Sequence, residues 1–309
     1  MAAVRGPHGT AAVLATCSAF LWATYYFFVL AATPSAGPAA LIAFPFLAGG
    51  VVYAALAVAQ GHGRLFLGLW TSGRAYGRTA LALGMQVSVL ASTYTAGSVN
   101  TSLLSLLGDV ALTPVLLMVL FREGRDRARS IPFVLGVLLG AGGATLTILG
   151  GESAPHLTGW AWLVAPLVPA TVAFYFLATA RENRRSPQSA VVAQTMLGAG
   201  LFALPVSALF PGGLGGLAVH GTVTWVLVVA LGVTSFFLAP WLYFRAIELT
   251  GLLLPALLMS GIPVFTLLLS VAVRGHSPGL WGLIGVPIAV AGSLLALEGT
   301  RPSPAKPKD

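Results

Sequence analysis

Ten stretches of about 20 residues, almost free of charge, recur along this chain and constrain its fold more than any other feature. They span 10–31, 38–60, 79–96, 98–120, 130–149, 158–180, 189–209, 223–247, 252–273 and 279–298. A helix rises 1.5 Å per residue, so each run is long enough to cross ~30 Å of hydrocarbon. Only 8% of the 309 residues are charged, against ~25% in a soluble domain, and the mean hydropathy is +0.90. A water-soluble surface cannot be built from so few charges. The expected fold class is an all-α integral membrane protein with ten transmembrane helices.

The runs are joined by short segments rich in Gly, Pro and charge, each a loop signal: Thr33 to Gly37, Arg122 to Ser130, Gly150 to His156, Arg181 to Pro187 and Pro211 to Gly216. With the N-terminus inside, the loops on that side and the two ends carry fifteen of the sixteen Lys and Arg residues, and Arg274 alone falls on the other side. Positive loops stay in the cytoplasm, so both termini are expected there, in a bacterial inner membrane. The net charge of +8 therefore reflects topology, and nucleic acid is not an expected partner. The apolar stretch up to Ala32 is too long for a signal-peptide core of ~7–15 residues and reads as a retained first span. One cysteine, Cys17, excludes a disulfide framework, and no metal spacing occurs. The segment 299–309, rich in Pro and Lys, reads as a disordered cytoplasmic tail.

The second half repeats the first at an offset of 149 residues. Pro114-Val115 matches Pro263-Val264, Gly136-Val137 matches Gly285-Val286, Gly143 matches Gly292, and Tyr25-Tyr26-Phe27 maps onto Phe174-Tyr175-Phe176. The expected units are residues 10–149 and 158–298. Each holds five spans, an odd number, so the copies lie in opposite orientations. Inverted repeats of this kind build secondary transporters, with substrate sites near the midplane between them. Gly136, Gly140 and Gly143 share one helix face, and small residues there allow close helix packing in lipid.

The prolines and glycines at this spacing, with Phe20-Leu21-Trp22-Ala23-Thr24 in the first span and Gly232-Val233-Thr234-Ser235 in the eighth, resemble the ten-helix EamA type of the drug/metabolite transporter superfamily. The resemblance covers nearly the whole chain and implies the 5+5 fold and transport without ATP. Where that family commonly places an acidic residue, 13 positions after each proline, this chain has Arg127 and His276. Among characterised members, the architecture is most similar to the bacterial aromatic amino-acid exporters.

Asp109 is the most informative side chain. A carboxylate in the middle of a span costs ~2.5–3.5 kcal/mol even on insertion scales, and its helical stripe (Ser98, Ser102, Ser105, Asp109, Thr113) faces water or protein rather than lipid. It is either a protonated carboxyl bonded to a neighbouring helix or a group that meets a cationic substrate or a coupling proton. Around it the sequence suggests a substrate-binding lining of Trp22, Tyr25, Tyr26, Gln86, Tyr94, Tyr175, Gln194, Ser235 and Trp241. The aromatic positions also suit simple packing or an interfacial belt, and the amides are singled out because buried amides demand partners. Arg245 and Glu248 read as a local surface pair.

These residues lead to a secondary transporter of small organic metabolites, amino acids or related amines first, working by alternating access. Alternatives are a proton-coupled exporter of cationic drugs and a small-solute channel. No GxxxxGK loop is present, no second mid-depth acid accompanies Asp109 as an aspartyl protease requires, and no buried histidine base occurs. The chain is therefore not expected to be an enzyme or to hold a cofactor. Its oligomeric state has no signature in the sequence.

Overall fold

The computed structural model describes residues 6–108, 112–113, 115–116, 130–150, 167–209, 213–274 and 279–299. The helices are α1 (Pro7–Ala32), α2 (Ala40–Ala59), α3 (Gly63–Leu69), α4 (Gly73–Leu107), α5 (Ile131–Gly150), α6 (Leu167–Asn183) and α7 (Gln188–Val206). The eighth span comprises α8 (Thr222–Leu231), a π-helical stretch (Gly232–Leu238) and α9 (Ala239–Thr250). After it come α10 (Leu253–Leu258), α11 (Gly261–Arg274) and α12 (Leu280–Gly299). Among the described residues five helices are long and apolar enough to cross a bilayer: Pro7–Ala32, Ala40–Ala59, Gln188–Val206, Thr222–Thr250 and Leu254–Val273. Ile131–Gly143 and Leu280–Ala296 are shorter apolar helices. Among the described residues the only bridge of β type joins Ala36 and Val219. The fold is that of an all-α membrane protein.

Three elements depart from the sequence expectation. The helical run α4 extends through the boundary expected near residue 97. Thr101 nevertheless donates to the Ser92 hydroxyl at 3.0 Å, and nine residues of straight helix would hold their Cα atoms about 13.5 Å apart. The run therefore folds back between them, close to the expected boundary, while much of the expected span 98–120 beyond Gly108 lies outside the described residues. A short helix, α3, occupies what reads as a loop, because its leucines spread over a segment too short to count as a span. The C-terminal end of α6 takes in Arg181 and Glu182, which the sequence assigns to a loop. Residues 151–166 and 300–309, including the start of the sixth span and the tail, lie outside the described residues.

Small residues set the helix packing. Ala11, Ala15, Ala19 and Ala23 form a fully buried stripe on α1, which lies against α9 and α11, and the Ser18 hydroxyl donates to the Ala239 carbonyl at 2.8 Å. The most extensive pairing joins α5 to α12. There a Cβ on Gly136 would lie 2.5 Å from the Gly292 carbonyl, and one on Gly143 would lie 2.6 Å from the Gly285 carbonyl. Only glycine permits backbones that close.

Candidate functional site

A cavity opens at the centre of the bundle, lined by α1, α4, α6, α7, the π-helical stretch with Pro240, and α11. Its empty space, including the part open to solvent, is about 640 Å³. Six expected site residues meet here: Trp22, Tyr25, Tyr26, Gln86, Tyr175 and Ser235. Two pairs among them, Tyr26 with Tyr175 and Gln86 with Ser235, are separated by the 149-residue offset.

The sequence explains why these groups hold their places. Tyr25 and Tyr26 are edge to face with ring centroids 5.3 Å apart, and Gln86 Nε2 donates to the Tyr25 hydroxyl at 2.6 Å. The eighth span loosens into π-helix at Gly232, a register that often marks functional sites. Pro240 has no N–H, so the donor that a π register would aim at the Ser235 carbonyl is missing. Trp22 replaces it: its indole Nε1 donates to that carbonyl at 3.0 Å, while its ring packs on Phe176 and Tyr243, each at 5.4 Å. The Ser235 hydroxyl donates to the Leu21 carbonyl at 3.4 Å, a long bond. Among the described residues no charged side chain lines the cavity. Its walls offer aromatic faces, one amide and two serine hydroxyls, Ser105 and Ser235.

Three expected residues lie elsewhere. Tyr94 is 38% exposed, and its hydroxyl is 3.1 Å from that of Thr33, at the end of the bundle where α1 finishes. Trp241 points to the outer surface, 38% exposed, although its carbonyl accepts from Gln188 Nε2 at 3.3 Å. Gln194 is fully buried in a separate polar cluster. There Arg78 donates to Gln194 Oε1 at 3.1 Å and to the Thr195 hydroxyl at 3.4 Å, and Gln194 Nε2 donates to Thr79 at 3.2 Å. Arg78 reads as a loop charge in the sequence, yet it is 3% exposed and pairs with Glu182 at 3.3 Å. Burial pulls the Arg78 guanidinium below its ordinary range, and the Glu182 carboxylate opposes that shift. Asp109 lies outside the described residues. Of its stripe, Ser102, Ser105 and Thr113 are buried, and Ser105 reaches the cavity. Arg245 and Glu248 pair on the surface, as expected.

Sequence reasoning did not select Met85, Val89, Val172, Met196, Phe236 or Ile262 for the lining. An apolar side chain facing a cavity reads the same as one facing lipid. Two further lining residues do leave a mark in the sequence: Phe176 belongs to the repeated Phe174-Tyr175-Phe176, and Pro240 is a proline inside the expected span 223–247.

Residues 158–297 match the model of the EamA-like transporter family. No curated protein matches the chain. A solved structure described as "Crystal structure of protein" is similar over 93% of this chain and 98% of its own, with a TM-score of 0.70 and 23% identity, which shows a shared fold. The family match assigns residues 158–297 to the EamA-like transporter family, whose members are membrane transporters of small solutes, and the solved structure shows that nearly the whole chain shares one all-α fold.

Proposed function

We propose that this transporter carries a small amphiphilic metabolite, an amino acid or related amine first, by alternating access between inverted repeats 10–149 and 158–298. The observation that carries this reading is the central cavity, whose described walls are aromatic and uncharged. Aromatic faces attract ammonium groups by ~0.5–2 kcal/mol each and stack on planar or apolar side chains. Gln86, Ser105 and Ser235 supply polar partners for a zwitterion. With no arginine or lysine among the described lining residues, phosphorylated or strongly anionic solutes would lose their hydration uncompensated. The reciprocal glycine contacts of α5 and α12 support the repeat, because a two-fold relation exchanges contacts in that way. The positive loops support an inner-membrane orientation with both termini cytoplasmic. Asp109 is assigned the proton or the cationic group of the substrate.

Proteoliposomes preloaded with labelled amino acids test the proposal. Saturable counterflow of an amino acid or amine is the expected result. Exchange of sugar phosphates or nucleotide sugars in its place would overturn the substrate class, and flux that never saturates would point to a channel.

A further inference from the structure

A second cleft lies between α4 and α6, away from the central cavity. It is lined by Arg74, Arg78, Arg181, Glu182 and Arg185, with Leu81, Phe174 and Leu177 among its apolar walls. Glu182 is engaged by the buried Arg78, so Arg74 and Arg185 leave the mouth positive. The charges and the apolar groups are sorted by depth. Arg74 stands in the first turn of α4 and Arg181 in the last turn of α6, with Arg185 just past it. Leu81 and Phe174 each lie seven residues deeper along those helices, about 10 Å further into the bundle. Phe174 is 42% exposed and Leu177 is buried. A soluble anion would use the positive rim and leave the apolar walls uncovered. A glycerophospholipid matches both, with its phosphate at the rim and its acyl chains against Phe174 and Leu81.

We infer that this cleft binds an anionic phospholipid of the leaflet at this end of the bundle, phosphatidylglycerol being the probe of choice. Basic residues beside an anionic lipid surface contribute about fivefold each in affinity. The site is independent of the transported solute, since none of these side chains lines the central cavity.

Native mass spectrometry of the purified full-length protein, titrated with phosphatidylglycerol and phosphatidylcholine of equal chain length, reads the preference directly. The wild type is expected to favour phosphatidylglycerol, and R74Q/R185Q to lose roughly 25-fold of that ratio. Phe174→Ala is expected to weaken both lipids alike and keep the ratio. If the double variant does not purify as one species, Arg185→Gln alone carries the test with a fivefold loss. An unchanged ratio in the arginine variants, or no preference in the wild type, overturns the inference. Thermal stabilisation by inorganic phosphate equal to that by phosphatidylglycerol at the same concentration also overturns it, in favour of a soluble anion.

Discussion

Gly136 and Gly292 meet backbone to backbone across α5 and α12: a Cβ on Gly136 would lie 2.5 Å from the Gly292 carbonyl, and one on Gly292 would lie 2.7 Å from the Gly136 carbonyl. Shifting both residues by the 149-residue offset turns this pair into Gly285 and Gly143, which also touch. Alanine at either position must push the helices apart. We expect Gly136→Ala and Gly292→Ala each to destabilise the protein by about 1–3 kcal/mol, as overpacking does, although alanine is intrinsically the better helix former by ~1 kcal/mol. Gly142 has open space around it, so Gly142→Ala should be neutral or stabilising. Thermal unfolding in detergent compares the three, and equal melting of G136A and G142A would refute the close contact.

The Gln86–Tyr25 bond separates structure from transport. Gln86→Leu leaves the buried Tyr25 hydroxyl unpaired and should cost about 1–3 kcal/mol. Adding Tyr25→Phe removes the orphaned group, so the double variant should recover most of that stability. If the amide also binds substrate, transport will not recover with it. Recovery of both would make Gln86 a packing residue.

Arg78 and Glu182 should behave as a buried pair. Glu182→Leu leaves the Arg78 cation without its carboxylate and is expected to cost about 3–5 kcal/mol, whereas R78M/E182L should lie much closer to the wild type. Chemical or thermal denaturation of the three proteins decides it. A mild single-variant loss, typical of exposed pairs, would show that water reaches the cluster.

For Asp109, the isosteric Asp109→Asn keeps size and hydrogen bonding but removes ionisation. If the carboxylate shuttles a proton or holds a cationic group, transport falls or loses its pH dependence while expression stays normal. Transport unchanged at every pH would leave Asp109 a structural carboxyl.

Topology has its own test. Reporter fusions at Gly61 and Arg184 should read cytoplasmic, and those at Ser35 and Gly215 should read external. A cytoplasmic signal from Gly215 would overturn the ten-span orientation.

The apolar helices that the described residues show, and the Gly136–Gly143 face, were legible in the sequence because lipid imposes a fixed thickness and a strict polarity, and both leave local, periodic marks. The fold-back inside α4 was legible as well, although hydrogen bonding alone merges its two arms. Which polar side chain meets the cavity was not legible. Gln86 and Gln194 read alike, each a lone amide within a span. Packing then sends one to Tyr25 beside the cavity and commits the other to Arg78 and Thr79. Trp22 and Trp241 diverge in the same way, the first drawn inward by the carbonyl that Pro240 leaves without a donor, the second left on the outer surface. Arg78 read as a loop charge because the groups that make its burial tolerable, Glu182, Gln194 and Thr195, all lie more than a hundred residues away. A helix pattern records how much of each face avoids water, and only the neighbours brought by the tertiary fold decide which polar group is satisfied and which is left to meet a solute.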